Sequence, residues 1–246
     1  MADQRPDLSL SIPCYNEEAC IGATARELLQ AFGARGHRLE LVLVDNGSSD
    51  GTGDVIDALI AEGLPVVKVR VAVNEGYGHG VLEGLRRCSG RWVGFICADG
   101  QVAAEDVVRL FGIADSAGGE VLVKVRRRFR MDGLRRKAIS VGYNLAAGAL
   151  FGGLGSIDLN GNPKIFPHGW LSRLDLASKD WFLDPEVMLK ARVLGLPVVE
   201  VNVLAQMRRA GVSHVRPGTL AEFGRNLMRY RMLGPFRAAG AGEGWG

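Results

Sequence analysis

The chain has 246 residues, 47% of them hydrophobic and 23% charged, with a formal net charge of +3. That composition supports a buried core in one α/β domain and excludes global disorder. A charge this small does not call for a nucleic-acid partner, and none is expected.

The chain opens with strand and helix patterns in alternation. "LSLSIP" (8–13) predicts a strand that Pro13 ends. "EEACIGATARELLQAFGARG" (17–36) has apolar residues at helical spacing and glycine at its end, so a helix is expected. "LELVLVD" (39–45) reads as a strand buried on both faces, as parallel sheets require. Ser49 or Asp50 is suited to cap a helix over 53–62. A strand at 65–72, a glycine-opened helix at 76–88, a strand at 91–99, a helix at 104–117 and a strand at 120–126 follow. The expected fold class is α/β, a mostly parallel central sheet with helices on both faces. Ligands of such sheets bind at the carboxyl ends of the strands. That rule places residues 13–18, 45–51, 73–80 and 97–101 around one crevice.

The second half is less regular. "DLNGNPKIF" (158–166) predicts a turn feeding a strand, "WFLDPEVMLKARVLGL" (181–196) a helix, and "PVVEVNVLAQM" (197–207) a strand. With no repeat or linker, the chain reads as one domain. Residues 1–125 form a nucleotide-binding half, 126–235 an acceptor-side half, and 236–246 a frayed tail.

Basic residues are unevenly spread. Residues 121–140 carry eight Lys or Arg against Asp132, and 205–230 carry five Arg against Glu222. Such clusters suit a phosphate-bearing partner or an anionic membrane surface, and equally two solvated faces. After the first cluster, residues 138–157 hold no charge, but five glycines make them a poor spanning helix. An amphipathic surface segment is the expectation. Cys14, Cys20, Cys88 and Cys97 form no CxxC pair. The first ten residues lack the apolar stretch of a signal peptide. Reduced thiols and a cytoplasmic location are therefore expected, with peripheral contact at the inner face of the membrane as the extension.

Each strand-end loop, taken singly, has a plain alternative. "VDNGSSDGT" (44–52) could present Asp45 to a base or ribose, or be an ordinary strand-to-helix turn. "NEGYGHG" (74–80) is rich in glycine but is not GxGxxG. In "CADGQ" (97–101), Asp99 and Gln101 could hold a hard cation through oxygen with a diphosphate completing the shell, or simply close a turn.

In order and spacing, "SIPCYNEE", "VDNGSSDGT", "NEGYGHG" and "ADGQ" resemble the family-2 glycosyltransferases of the GT-A (Rossmann-like) fold. The likeness is to the dolichyl- or polyprenyl-phosphate mannosyltransferase-like branch, and it reaches nearly the whole chain through "DLNGNPKIF", "SKDWFLDPEVMLKA" and "MRRAGVSHVR". The resemblance implies that Pro13, Tyr15, Glu17, Asp45, Asn74, Gly78 and Asp99 bind the donor, and that Asp99 and Gln101 bind Mg2+ or Mn2+. Arg208 and Ser213 match an R-x-x-G-x-S signature that faces phosphate, with His214 where lysine is frequent. Cys97 stands where the family's Asp-x-Asp motif has its first carboxylate, which implies a weakened metal site, a thiol being a poor ligand for magnesium.

The implied reaction moves a sugar from a GDP- or UDP-linked donor to a phosphate or hydroxyl acceptor, foremost a polyprenyl phosphate. A hydroxyl acceptor needs a general base, and Asp158, Asp180, Asp184 and Glu186 are the candidates; an ionised phosphate needs none. Asp184 is as well suited to capping a helix before Pro185. Arg126, in the basic stretch, is assigned to the acceptor phosphate, and residues 124–157 to lipid-phosphate or membrane contact. Two alternatives are the same chemistry on a soluble natural-product or nucleoside acceptor, and a non-catalytic nucleotide-sugar binding protein. A nucleotidyltransferase would share the general fold but need a basic glycine loop near its start, which is missing.

Overall fold

A computed structural model of the protein describes residues 4–129, 151, 156, 158–206 and 218–234. In chain order its elements are β1 (Leu8–Cys14), α1 (Ile21–Gly33), β2 (Leu39–Asn46), α2 (Thr52–Ala61), β3 (Val66–Val71), α3 (Tyr77–Leu85), β4 (Trp92–Phe95), α4 (Ala104–Ser116) and β5 (Leu122–Phe129). Then come β6 (Lys164–Pro167), α5 (Trp170–Leu174), α6 (Leu183–Val193), β7 (Val198–Leu204) and α7 (Gly218–Leu233). The described strands form one sheet in the order β3-β2-β1-β4-β6-β5-β7. β6 runs antiparallel to both neighbours, and the other pairings are parallel. The expected mostly parallel α/β sheet is present.

The periodicities explain the layers. In α1 the buried residues Ile21, Thr24, Ala25, Leu28 and Phe32 fall on one helical face. The helix stops where His37 N–H reaches back to Phe32 O and Gly36 takes φ 72°, a conformation glycine adopts without strain. Leu41 to Val44 of β2 are all fully buried because helices cover both faces. One core lies on the side of α1, α2 and α4; the other lies on the side of α3, α5, α6 and α7.

Several boundaries differ from the sequence reading. β4 ends at Phe95, not 99, because its pairing with β1 stops at Ser11↔Phe95 and the chain then turns into the crevice. β5 continues through Arg126 and Arg127 to Phe129, since β7 pairs with it that far. The α2 cap is also corrected. Gly51 occupies the cap position, its N–H going to the Glu18 carboxylate, while Asp50 Oδ1 accepts the Thr52 N–H at 3.0 Å. Neither Ser49 nor Asp50 is the cap. Helices α5 and α7 had no forecast. The uncharged stretch 138–157 lies outside the described residues apart from Phe151 and Ser156. Among the described residues no helix is long and apolar enough to cross a membrane.

Helix α3 lies against β1 at Gly84, where an added Cβ would overlap the Ser11 hydroxyl and come within 2.8 Å of Val44 Cγ2. Gly84→Ala is expected to destabilise the fold by about 1–3 kcal/mol through overpacking. Urea unfolding should show a lower midpoint at an unchanged slope.

Candidate active site

Three loops at the carboxyl end of the sheet are laced into one wall. After β1, Asn16 adopts φ 56° and its Oδ1 accepts the Ser49 N–H at 2.8 Å. Glu17 N–H donates to Thr52 Oγ1 at 2.9 Å, and Glu18 N–H to Asp50 Oδ2 at 3.2 Å. After β2, Asp45 Oδ1 accepts the Ser48 N–H at 3.0 Å, a turn that fixes the half-buried carboxylate at the strand end. After β3, Asn74 Oδ1 accepts from Asn46 Nδ2 at 3.3 Å and from the Gly76 N–H at 2.9 Å. Pro13 and Asp45, near the ends of β1 and β2, and Tyr15, Glu17 and Asn74, on the loops beyond β1 and β3, thus lie at the same carboxyl end of the sheet. Glu17 is buried at their junction, whereas Asn74 is exposed.

Gly78 packs closely against a neighbouring segment. A Cβ there would overlap Ser178 O and lie 2.6 Å from Asp180 O. The residue is glycine so that α3 can pack against the backbone of 178–180, with His79 N–H donating to Lys179 O at 2.9 Å.

The next strand end carries Cys97, Asp99 and Gln101. Asp99 is buried, and its Oδ1 accepts the Gln101 N–H at 3.2 Å. Thr24 of α1 holds the loop by donating to Ala98 O at 3.1 Å. A small cavity opens here, lined by Cys97, Asp99, Gln101, Arg127 and Asn162. Burial, helped by the charges of Asp99 and Asp184, pushes the Cys97 thiol up to about 12. Among the described residues no three His, Cys, Asp or Glu side chains form a metal-holding group; the residues with side-chain oxygens that line the cavity are Thr24, Glu27, Asp99, Gln101 and Asn162, and of these Asp99 and Gln101 are the pair on the loop after β4. Such a pair fits a divalent cation only with further oxygens from a bound diphosphate, a common arrangement for Mg2+.

Beyond this loop the structure shows how the other expected site residues are paired. Arg126 and Arg127 are consecutive on β5, so their side chains leave opposite faces of the sheet. Arg127, not Arg126, lines the cavity. Its Nε and Nη2 grip the Asp158 carboxylate at 2.9 and 2.8 Å, and its backbone N–H adds a third bond at 3.1 Å. Burial raises the Asp158 pKa, but the Arg127 hydrogen bonds and charge more than offset this and hold it well below the usual carboxylate range. A carboxylate so pinned is a poor proton acceptor, and in this structure it anchors Arg127.

Asp184 is likewise held by a cation, and it is not the cap of its helix. It sits in the first turn of α6, behind Phe182 as the cap residue, and is 2% exposed. It pairs with the fully buried Lys164, whose ammonium also reaches Gly161 O at 3.1 Å. Burial lowers the Lys164 pKa, and the Asp184 charge acts in the opposite sense. Asn162 Nδ2 joins this pair to Tyr77, lying 3.4 Å from Asp184 Oδ2 and 2.9 Å from the Tyr77 hydroxyl. The Tyr77 ring stacks on Trp181 at 4.4 Å and 8°.

The two other candidate bases are also engaged. Glu186 accepts the Ser178 N–H at 2.8 Å and pairs with buried Lys190 at 2.8 Å. Asp180 accepts the Phe182 N–H at 2.7 Å on one oxygen and Asn226 Nδ2 at 2.8 Å on the other. Arg208, Ser213 and His214 lie outside the described residues. The sequence reading missed Arg127, Lys164, Asn162 and the Tyr77–Trp181 stack. A lysine inside "PKIF" was the available signal, because a charge in a buried strand demands a partner.

The sheet order, the crevice at its switch point and the glycine-rich loop define a nucleotide-binding α/β fold of the GT-A kind. The comparisons agree. Two crystal structures of glucosyl-3-phosphoglycerate synthase from Mycobacterium tuberculosis superpose with TM-scores of 0.68 and 0.69 at 23% identity. Each match covers 97% of this chain and 81% of the other. The first holds Mn2+, UDP and glucosyl-3-phosphoglycerate; the second holds Mn2+, UDP-glucose and phosphoglyceric acid. At that identity the likeness establishes the fold. The family profile described as Glycosyl transferase family 2 matches residues 9–171, and the chain belongs to that family. Among curated relatives, undecaprenyl-phosphate 4-deoxy-4-formamido-L-arabinose transferase of Aeromonas hydrophila is 33% identical over 134 residues, 54% of this chain and 40% of the relative. The protein of the same name from Pseudomonas fluorescens is 34% identical over 140 residues, 56% of this chain and 41% of the relative. The matches therefore span about 40% of those relatives' length.

Two predictions test the charge pairs. Lys164→Met leaves Asp184 buried without its cation and should cost about 3–5 kcal/mol, and adding Asp184→Leu should recover much of it. Chemical unfolding of both variants measures this. Asp158 is depressed in the folded state, so its pairing stabilises the fold above the ordinary carboxylate pKa of about 3.9 and is lost as pH falls below it. Arg127→Ala should flatten the acid-side fall of unfolding free energy between about pH 4 and 2.

Proposed function

We propose that this protein transfers a sugar from a nucleoside-diphosphate sugar to an ionised phosphate acceptor, foremost a polyprenyl phosphate. The observation that carries the choice of acceptor is the state of the four candidate bases. Asp158, Asp184 and Glu186 are locked in buried ion pairs, and both oxygens of Asp180 accept hydrogen bonds. A hydroxyl acceptor would need one of them free, whereas a phosphate oxygen is already a nucleophile. The names of the curated relatives, which are undecaprenyl-phosphate transferases, support the same reading.

In this reading the base and ribose lie along Asp45 and the loops around it, and the diphosphate lies at Asp99 and Gln101. Asp99 and Gln101 would hold Mg2+ or Mn2+ together with the diphosphate, and that cation would offset the negative charge growing on the leaving group. With Cys97 in place of a carboxylate, the metal's protein ligands are few and its affinity depends on the nucleotide. The acceptor phosphate oxygen attacks the anomeric carbon, the glycosidic oxygen leaves with the nucleoside diphosphate, and no proton need be removed. Arg127, oriented by Asp158, is placed to offset charge on the phosphates. Arg208, Ser213 and His214 are assigned to phosphate, and the basic and uncharged stretch 124–157 to peripheral contact with an anionic membrane.

Transfer from a panel of UDP- and GDP-sugars to a short-chain polyprenyl phosphate, set against the matching alcohol, tests this. Product is expected with the phosphate alone. Asp180→Asn should retain transfer within a few-fold, and a loss of 100-fold or more would restore a hydroxyl acceptor and a general base. Titration with Mn2+ should give weak binding to the protein alone and much tighter binding once nucleoside diphosphate is present, and Asp99→Asn should abolish the difference.

A further inference from the structure

Helix α7 presents two faces of opposite character. Leu227 and Tyr230 are buried, and Asn226 lies on the same side of the helix. Asn226 Nδ2 donates to Asp180 Oδ2 at 2.8 Å, the Tyr230 hydroxyl lies 3.2 Å from Ser178 Oγ, and the Tyr230 ring meets Phe182 at 4.8 Å. That side fastens the helix to the 178–182 segment. The same segment packs on Gly76 and Gly78, where α3 begins at the carboxyl end of the sheet, and its Trp181 stacks on Tyr77. Helix α7 therefore stands beside the loops that frame the crevice.

The outer face has a composition that contact with water does not explain. Met228 and Met232, one helical turn apart, are 51% and 77% exposed. Arg225, Arg229 and Arg231 are exposed around them. At about 100° per residue, Arg225, Met228 and Met232 share the side opposite Asn226 and Tyr230, with Arg229 and Arg231 on its two flanks. From Gly224 to Gly234 the sequence holds these three arginines and no acid. A solvated face carries polar side chains in place of the methionines and mixes both signs of charge. An apolar stripe with arginines along its sides suits a helix lying in the headgroup region of an anionic bilayer. The methionines enter the acyl boundary, and the guanidinium groups reach lipid phosphates. A second copy of this chain would set like charges against one another, which disfavours it as the partner. A polyprenyl phosphate brings its phosphate to the crevice while its hydrocarbon stays in the bilayer, so the crevice must open close to the lipid surface. We propose that the outer face of α7 docks on an anionic membrane and sets the crevice against the bilayer. The inference rests on the polyprenyl phosphate reading given above and adds to it a surface separate from 124–157.

Flotation of the full chain with vesicles tests this, using phosphatidylcholine alone and equal parts of phosphatidylcholine and phosphatidylglycerol. The wild type is expected to bind the anionic vesicles far more tightly than the neutral ones, and to be released as salt rises. The triple variant Arg225→Gln, Arg229→Gln, Arg231→Gln should bind the anionic vesicles about 100-fold more weakly. The double variant Met228→Ser, Met232→Ser should bind them about ten-fold more weakly. All five side chains are exposed, so circular dichroism and the unfolding midpoint should stay those of the wild type. Both variants should still transfer sugar to a short-chain, water-soluble polyprenyl phosphate, and should lose transfer to a long-chain acceptor embedded in anionic vesicles. Equal vesicle binding by the wild type and both variants would overturn the inference. So would a dimer that the methionine variant dissolves while vesicle binding is unchanged, since the face would then belong to a second copy. If the wild type docks as expected but transfers to neither acceptor, the acceptor reading fails and the docking surface stands. If it transfers to the short-chain acceptor but does not bind anionic vesicles, the inference alone fails.

Discussion

The register of β5 against β6 sets Lys124 opposite Lys164, and both ammonium groups are wholly buried. Two like charges side by side in a core are tolerable only if each has an anion and further acceptors. Lys124 takes Glu200 at 2.9 Å and Asp158 O at 2.5 Å, and Lys164 takes Asp184 and Gly161 O. Much of this side of the sheet follows from that requirement. Asp184 is committed to Lys164, the 158–164 turn is tied down at both ends through Asp158 O and Gly161 O, and Asn162 is held where its amide bridges Tyr77 and Asp184. A buried pair of this kind adds little net stability over an apolar pair, so its worth lies in the geometry it imposes.

The donor side is held by different means. There the loops after β1, β2 and β3 exchange short hydrogen bonds between backbone N–H groups and the side chains of Asn16, Ser48, Thr52 and Asn74. Close approach of backbones fixes the rest: Gly47, at φ 72°, lies where a Cβ would come within 2.7 Å of the Asn74 nitrogen. One wall of the crevice is thus rigid through local polar contacts. The opposite wall is rigid through buried charge. Asp99 and Gln101 lie between them, joined to the far side of the sheet by the Gln206 N–H bond to Gln101 O at 2.9 Å.

Much of this was legible in the sequence. The strands β1 and β2 and the helices α1 and α4 follow directly from apolar periodicity and glycine stops, and the strand-end rule singles out the loops at the carboxyl end of the sheet. What the sequence left open has a common cause. Choosing Arg126 over Arg127 required knowing the phase of β5, and a run of three arginines carries no apolar alternation to set it. Asp158 and Asp184 looked like bases because both lie on turns beside strands or helices, where the sequence does not show the cation that will face them.

The sequence by itself determined the fold class and the loops at the strand ends, because each depends on local spacing: apolar residues at period 2 or 3.6 and glycines where the backbone must turn. Only the tertiary structure decided which charged residue pairs with which. Lys164 and Asp184 are 20 residues apart, and Arg127 and Asp158 are 31. Such pairs form when strands from distant parts of the chain come into register, and no local pattern encodes that.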